Sequence, residues 1–142
     1  MTVERVVLIT GGGSGIGRAT AKKFFEGGDH IVVADINQEG GNSVVNEINA
    51  EGGAAEYVYV DVAEDSSVQD MALIVKEKWG RIDVLVNSAG ILQNVSKIDS
   101  MDLEEHDRVW AVNYRGTYLC CRSVGKLMAE QESNGSIVNI SS

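Results

Sequence analysis

The feature that most constrains the fold is a series of five short apolar runs spread along the whole chain. They occupy residues 6–9, 31–34, 57–60, 84–86 and 137–140 and are rich in valine and isoleucine. Runs of this length that are apolar almost throughout are typical of strands buried on both faces of a parallel sheet. Five such strands are therefore predicted.

The segments between these runs have the spacing of helices. Apolar residues recur at every third or fourth position over 68–79, and a longer pattern of the same kind covers 102–130. In the segment after the first run, Ile16, Thr20 and Phe24 are predicted to share one helix face. Helices are therefore expected between the strands.

Strand and helix patterns alternate from the first run to the last. This order predicts an α/β fold in three layers, with helices on both faces of a parallel sheet. Because the crossovers of such sheets are right-handed, a doubly wound, Rossmann-like sheet is expected, with its ligand beyond the carboxyl ends of the strands. The length of 142 residues predicts one domain over 1–142.

The composition excludes some classes of binding partner for this chain. Asp and Glu number 21 against 12 Lys and Arg, which gives a net charge of −9. A chain this acidic is a poor candidate for binding nucleic acid or an anionic membrane surface. The two cysteines, Cys120 and Cys121, are neighbours, so no disulfide framework is expected and a reducing, cytoplasmic location is favoured.

The first predicted strand leads directly into a glycine-rich loop, Thr-Gly-Gly-Gly-Ser-Gly-Ile-Gly, at 10–17. Isoleucine at position 16 excludes the strict G-x-G-x-x-G spacing, and the pattern is Thr-Gly-x-x-x-Gly-x-Gly instead. Between a strand and a helix, such glycines let free backbone N–H groups and the helix dipole hold a phosphate. A dinucleotide pyrophosphate is the predicted ligand, and a plain glycine-rich turn is the alternative.

An acidic residue, Asp35, ends the second predicted strand. An acid roughly 20 residues beyond the glycine loop accepts hydrogen bonds from the adenosine ribose in dinucleotide sites. Its charge repels a 2′-phosphate, and neither Ser14 nor Ile36 offers a positive charge. The sequence therefore predicts NAD rather than NADP, with the alternative that Asp35 only caps the following helix.

Five motifs, in order along the whole chain, resemble those of the classical short-chain dehydrogenase/reductase family. The glycine loop resembles its cofactor loop, Asp61-Val62 its adenine-contacting pair, and "NSAG" at 87–90 its Asn-Asn-Ala-Gly motif. "VNYRG" places the active-site asparagine of the family at Asn113, and "GSIVNISS" places its catalytic serine at Ser142. The resemblance implies hydride transfer between nicotinamide and a carbonyl or secondary alcohol.

The resemblance also implies roles for single residues. Ser142 is expected to hold the substrate oxygen, and the backbone of Asn113 to help hold a water of a proton relay. The residues predicted to bind NAD are Thr10, Gly11, Gly13, Ser14, Gly15, Ile16, Gly17, Asp35, Ile36, Asp61, Val62, Asn87, Ala89 and Gly90. Asp61 has the alternative of a turn or cap residue, and Asn87 that of a tie within the sheet.

The proton donor of the resembled family is a tyrosine followed four residues later by a lysine, both beyond the serine. None of the four tyrosines in this sequence has a lysine at that distance. Tyr118 with Arg122 comes nearest, but the pair precedes Ser142 and arginine does not replace lysine. The chain is therefore interpreted as the N-terminal part of such an enzyme, truncated after the fifth strand, able to bind NAD but not to turn over.

Two other functions stay open. A non-catalytic dinucleotide-binding module would bind the cofactor without any tyrosine–lysine pair, whereas a scaffold with a decayed site would not bind it. The complete enzyme is expected to act on a small alcohol or ketone and to form a homo-oligomer, either a dimer or a tetramer. No metal site is predicted, because His106 lies in an acidic segment that is interpreted as the solvated first turn of a helix.

Overall fold

The architecture is a five-stranded parallel sheet whose strands are joined by helices. The computed structural model describes residues 4–141. Its strands are β1 (Val6–Thr10), β2 (His30–Asp35), β3 (Ala55–Tyr59), β4 (Val84–Asn87) and β5 (Ser136–Asn139). Each predicted apolar run forms a strand, and the ends differ from the prediction by at most two residues.

The strands lie in the order β3-β2-β1-β4-β5, and every neighbouring pair is parallel. Along the chain, β2 and β3 are added on one side of β1, and β4 and β5 are then added on its other side. This change of direction puts a crevice between the carboxyl ends of β1 and β4. The predicted doubly wound α/β fold is confirmed.

Five α-helices connect the strands. They are α1 (Gly15–Glu26), α2 (Gln38–Ala50), α3 (Asp65–Trp79), α4 (Leu103–Val109) and α5 (Thr117–Glu130). A short 3-10 turn at Ile98–Ser100 precedes α4, and a π-helical segment at Trp110–Gly116 joins α4 to α5. The pattern over 102–130 predicted one regular helix, whereas the structure has a wider turn in its middle.

Two hydrophobic cores, one on each face of the sheet, make the three layers. Along β1 the side chains of Val6 and Leu8 pack with α3 and α5, and those of Val7 and Ile9 pack with α1 and α2. This alternation follows from the two-residue period of a strand. The predicted burial on both faces holds for the central strands, but the edge strands β3 and β5 are more exposed because each has only one neighbour.

Helix α1 packs on the sheet through small residues. Gly17 and Ala21 are buried against the sheet, whereas the side chain of Ile16 is 61% exposed. Ile16 is exposed because the first turn of α1 lies over the crevice rather than over the core.

In the part of the chain that the structure describes, no helix combines the length and the apolar character needed to cross a bilayer.

Candidate functional site

The carboxyl ends of the strands open into a cleft of about 860 Å³. Its walls bring together residues from six separate stretches of the sequence. The predicted site residues on these walls are Gly11, Ser14, Gly15, Ile16, Asp35, Ile36, Asp61, Val62, Ala89 and Gly90. The fold thus gathers most of the predicted cofactor-binding residues around one space of a size typical of ligand sites.

The glycine loop supplies the wall nearest β1. Gly15 has a φ of +52°, and apart from its chain neighbours and the backbone of its own helix no atom of residues 4–141 lies within 4 Å of the place where a Cβ would stand. Ser14, the residue before α1, is extended, and its hydroxyl makes no capping hydrogen bond among the described residues. The first N–H groups of a helix have no partner within the helix, so this helix start can bind an anion.

Close backbone contacts set the shape of the loop. A Cβ on Gly17 would stand 2.1 Å from the carbonyl oxygen of Gly11, so only glycine fits there. A Cβ on Gly11 would stand 2.7 Å from the Cα of Ala89, and Gly11 has a φ of +65°. The loop after β1 is therefore held directly against the loop after β4.

Thr10 lies beneath the cleft and joins the same two loops. Its side chain is buried, and its hydroxyl oxygen accepts a hydrogen bond from the N–H of Ala89 at 3.3 Å. Its carbonyl oxygen accepts from the N–H of Ser88 at 3.2 Å. Thr10 positions the second wall of the cleft, and its predicted contact with NAD stays a prediction.

Asp35 stands at the end of β2 with its carboxylate at the cleft. Oδ2 accepts a hydrogen bond from the N–H of Gly13, and Oδ1 accepts one from the N–H of Asn37, both at 2.9 Å. The cap of α2 is Asn37, whose side chain accepts from the N–H of Gly40 at 3.0 Å. The alternative that Asp35 merely caps this helix is therefore wrong, because the neighbouring Asn37 already does so.

The segment after β3 contributes Asp61 and Val62. Oδ1 of Asp61 accepts from the N–H of Ala63 at 3.0 Å, and the N–H of Asp61 donates to the hydroxyl of Ser67 at 2.9 Å. Asp61 is thus a turn residue and also a wall residue of the cleft. These two interpretations are compatible, since one carboxylate oxygen suffices for the turn.

Asn87 and Asn113 lie behind the cleft and hold its walls. Asn87 is 3% exposed, and its Nδ2 donates to Oδ1 of Asn139 at 2.9 Å, which ties β4 to β5. Oδ1 of Asn113 accepts from the N–H of Ile91 at 2.8 Å, while its Nδ2 donates to the carbonyl oxygen of Ile91 at 2.9 Å. This paired bond fastens the loop after β4 to the π-helical segment.

Several wall residues were not found from the sequence. They are Val60, Ala63, Ser88, Ile91, Leu92, Arg108, Val112 and Ile140. Most come from loops, which have no periodicity that would reveal which side chains face the cleft. Ile140 could have been predicted from the sequence, because it follows β5 and the carboxyl ends of parallel strands meet at one edge of the sheet.

Two further predictions concern residues near the end of the chain and on α5. Ser142 lies outside the described residues, and its catalytic role stays a prediction. Cys120 is buried, and burial raises the pKa of its thiol to about 12. Such a thiol is protonated at neutral pH and is no nucleophile, in line with the structural role expected for it.

Comparison with known proteins gives a consistent result. A family model described as short chain dehydrogenase matches residues 5–142. The chain is 39% identical over 138 residues to D-threitol dehydrogenase of Mycolicibacterium smegmatis, which covers 97% of this chain and 52% of that protein. It is 37% identical over 141 residues to levodione reductase of Leifsonia aquatica, covering 98% of this chain and 52% of that protein.

A solved structure of a short-chain type dehydrogenase/reductase from Mycobacterium ulcerans superposes with a TM-score of 0.92 at 29% identity. The match covers 100% of this chain and 53% of that one. The chain thus spans about half the length of the curated relatives it matches.

Proposed function

This chain belongs to the short-chain dehydrogenase family, and on that premise we propose that it carries the NAD-binding part of an oxidoreductase. The proposed reaction transfers hydride between the nicotinamide and a carbonyl or secondary-alcohol carbon. The relatives it resembles include proteins named as a dehydrogenase and a reductase. The substrate, a small alcohol or ketone, and the choice of NAD are part of the proposal.

The observation that carries the proposal is the carboxylate of Asp35, which stands at the cleft beside the glycine loop. A carboxylate accepts hydrogen bonds from the ribose hydroxyls of NAD and repels the 2′-phosphate of NADP. The only basic side chain on the described walls is Arg108, which comes from α4 and not from the segment after β2. The charge beside the glycine loop therefore favours NAD.

The glycine loop fits the pyrophosphate of the same cofactor. The space beside Gly15, the unused hydroxyl of Ser14 and the N–H groups at the start of α1 lie together on one wall. Backbone donors at a helix start suit an anion, and the absence of a side chain lets it come close. Asp61 and Val62 then face the adenine side of the cleft.

When bound, the nicotinamide supplies the hydride chemistry. The chain itself orients the cofactor, through the loops after β1 and β4, and shapes the floor of the reaction site with the π-helical segment that carries Asn113. Ser142 is proposed to hold the substrate oxygen. The proton donor that the proposal requires is not among these 142 residues, because no tyrosine has a lysine four residues on. Turnover is therefore proposed for the complete protein.

Calorimetric titration of the complete protein with NAD and with NADP tests the cofactor. We expect NAD to bind at least tenfold more tightly, and Asp35→Asn to reduce that ratio because it removes the charge. Asp70→Asn, an exposed change on α3, is the matched control and should leave the ratio unchanged. Equal affinity for the two cofactors, or tighter binding of NADP, would contradict the proposal.

Turnover is measured separately, by following the absorbance of NADH with a panel of small alcohols and ketones. Reduction of NAD by at least one alcohol supports an enzyme. Tight binding of NAD with no turnover on the whole panel would favour the second candidate, a non-catalytic dinucleotide-binding module, for which the lack of a Tyr-x-x-x-Lys pair in this sequence is the specific observation.

We also propose a cytoplasmic homo-oligomer, a dimer or a tetramer. Symmetric homo-oligomers are the commonest assemblies of soluble proteins, and neighbouring unpaired cysteines favour a reducing compartment. Light scattering coupled to size exclusion gives the mass of the complete protein in solution, and a monomer at micromolar concentration would contradict the assembly.

A further inference from the structure

The carboxylate of Asp35 is already held before any ligand binds. The N–H groups of Gly13 and Asn37 each donate to one of its two oxygens at 2.9 Å. Each carboxylate oxygen has two lone-pair positions, so one on each oxygen stays available for a ribose hydroxyl. The direction in which Asp35 points is therefore set by its surroundings.

The main chain of Asp35 is held by Tyr57, a residue of the neighbouring edge strand β3. The hydroxyl of Tyr57 donates to the carbonyl oxygen of Asp35 at 2.8 Å, and the N–H of Val60 donates to the same oxygen at 3.2 Å. Burial, together with the nearby Asp35 carboxylate, raises the pKa of the Tyr57 hydroxyl, so that this group keeps its proton at neutral pH.

The ring of Tyr57 is itself fixed by helix α2. A Cβ on Gly41 would stand 2.3 Å from Cδ2 and 2.5 Å from Cε2 of that ring. A Cβ on Gly13 would stand 2.8 Å from the backbone nitrogen of Gly41. Glycine inside a helix is less favourable than alanine, and here it lets the ring of Tyr57, helix α2 and the glycine loop meet.

Tyr57, Gly41, Gly13 and Asp35 thus form one continuous set of contacts, here called the column, from the ring of Tyr57 to the carboxylate of Asp35. The sequence motifs used to recognise the cofactor site do not include Tyr57 or Gly41, and neither residue lines the described cleft. Tyr57 instead acts on the cleft through Asp35, since every group between them is in hydrogen-bond or van der Waals contact.

We propose that Tyr57 is a positioning residue that sets the cofactor preference of the site. By holding the main chain of Asp35, it keeps the carboxylate pointing to the place of a ribose 2′-hydroxyl. The same charge there repels a 2′-phosphate. This inference rests on the proposed function and adds to it the residue that orients the discriminating charge.

Loss of the hydroxyl acts differently on the two cofactors. NAD loses affinity because its ribose hydroxyls meet a less well aligned acceptor. NADP lacks the 2′-hydroxyl that donates to the carboxylate, and a carboxylate that can turn away repels the 2′-phosphate less. The ratio of the two dissociation constants therefore reports the positioning role, whereas a general loss of stability would weaken both cofactors alike.

The test compares Tyr57→Phe with Tyr59→Phe in the complete protein. Both changes remove one tyrosine hydroxyl from β3. The backbone of Tyr59 pairs with Asp35, but its side chain is 55% exposed and its hydroxyl makes no hydrogen bond among the described residues. Dissociation constants for NAD and NADP are measured by calorimetry, with competition for the weaker ligand. We expect Tyr57→Phe to reduce the preference for NAD about two- to tenfold, the range of one hydrogen bond, and Tyr59→Phe to leave it unchanged.

A second variant, Gly41→Ala, displaces the ring of Tyr57 without changing its chemistry. It is expected to reduce the same preference, and a circular-dichroism melt of each variant confirms that it is folded. An unchanged preference in both folded variants, or an equal loss of affinity for both cofactors, would overturn the inference. If the unaltered protein binds neither dinucleotide, the proposed function itself fails, and the inference with it.

Discussion

At the scale of single residues, the most informative detail is that Gly17 has no side chain. Gly17 lies in the first turn of α1, where a Cβ would overlap the carbonyl oxygen of Gly11 at 2.1 Å. Gly125, also within a helix, has only Cδ1 of Ile137 near its Cβ position, at an ordinary 3.7 Å. The two glycines share a helical backbone but differ in the room around them.

Gly17→Ala is expected to destabilise the protein by about 2 kcal/mol, the range of overpacking in a core, and to abolish the proposed binding of NAD. The loop cannot keep its shape, because the methyl group displaces the backbone of Gly11. Gly125→Ala is expected to stabilise α5 by about 0.5–1 kcal/mol, since alanine is the better helix former. Urea unfolding measures both changes, and equal effects would contradict the close contact at Gly17.

At the scale of secondary-structure elements, the π-helical segment at Trp110–Gly116 decides how the long helix meets the cleft. π-helical turns are rare and often mark functional positions. Here the wider turn lets Gly116 approach Val62, with a Cβ position only 2.7 Å from Cγ2 of that valine. The same turn carries Asn113, whose amide clamps the backbone of Ile91.

Asn113→Ala removes both hydrogen bonds of this clamp. We expect the free energy of unfolding to fall by about 1–2 kcal/mol and the amide of Ile91 to exchange its hydrogen at least tenfold faster, because its acceptor is lost. Asn134→Ala, at an exposed position between α5 and β5, is the control. Hydrogen exchange followed by mass spectrometry distinguishes a released loop from an unaffected one.

The sequence predicts the elements better than their junctions. The strands were predictable because runs of valine and isoleucine are read directly, and Gly11 and Asp35 were predictable because they follow two of these runs. The π-helical turn was not, since one extra residue in a turn hardly disturbs the apolar pattern on either side. Arg108 and Leu92 were missed because the last turn of α4 and a loop bring them to the cleft through tertiary packing alone.

At the scale of the whole molecule, two cores on opposite faces of one sheet hold the structure together. The core that α3 and α5 cover includes the thiol of Cys120, which is fully buried. Burial raises its pKa to about 12, against roughly 8.5 in an unfolded chain. The folded state therefore keeps a proton that the unfolded chain releases in alkaline solution.

The contribution of Cys120 to stability is complete below about pH 8.5 and is lost as the pH rises from there towards 12, at about 1.4 kcal/mol for each pH unit. Cys120→Ala has no thiol to ionise, so its difference in unfolding free energy from the unaltered protein should shrink by about 2 kcal/mol between pH 7.5 and 10. Val124→Ala, another buried position on α5, keeps the thiol and should show a constant difference. Urea titrations at the two pH values measure both.

The connection from β3 to β4 also separates the residues of the two cleft walls in the sequence, because one wall precedes it and the other follows it. Residues up to 63 build the side that discriminates between cofactors under the proposed function, and residues from 88 onwards build the side towards the reaction. The two sides meet at Gly11 and Ala89 and again at Val62 and Gly116. Recombination between related genes near residue 80 would therefore exchange cofactor choice and substrate choice as separate inherited traits.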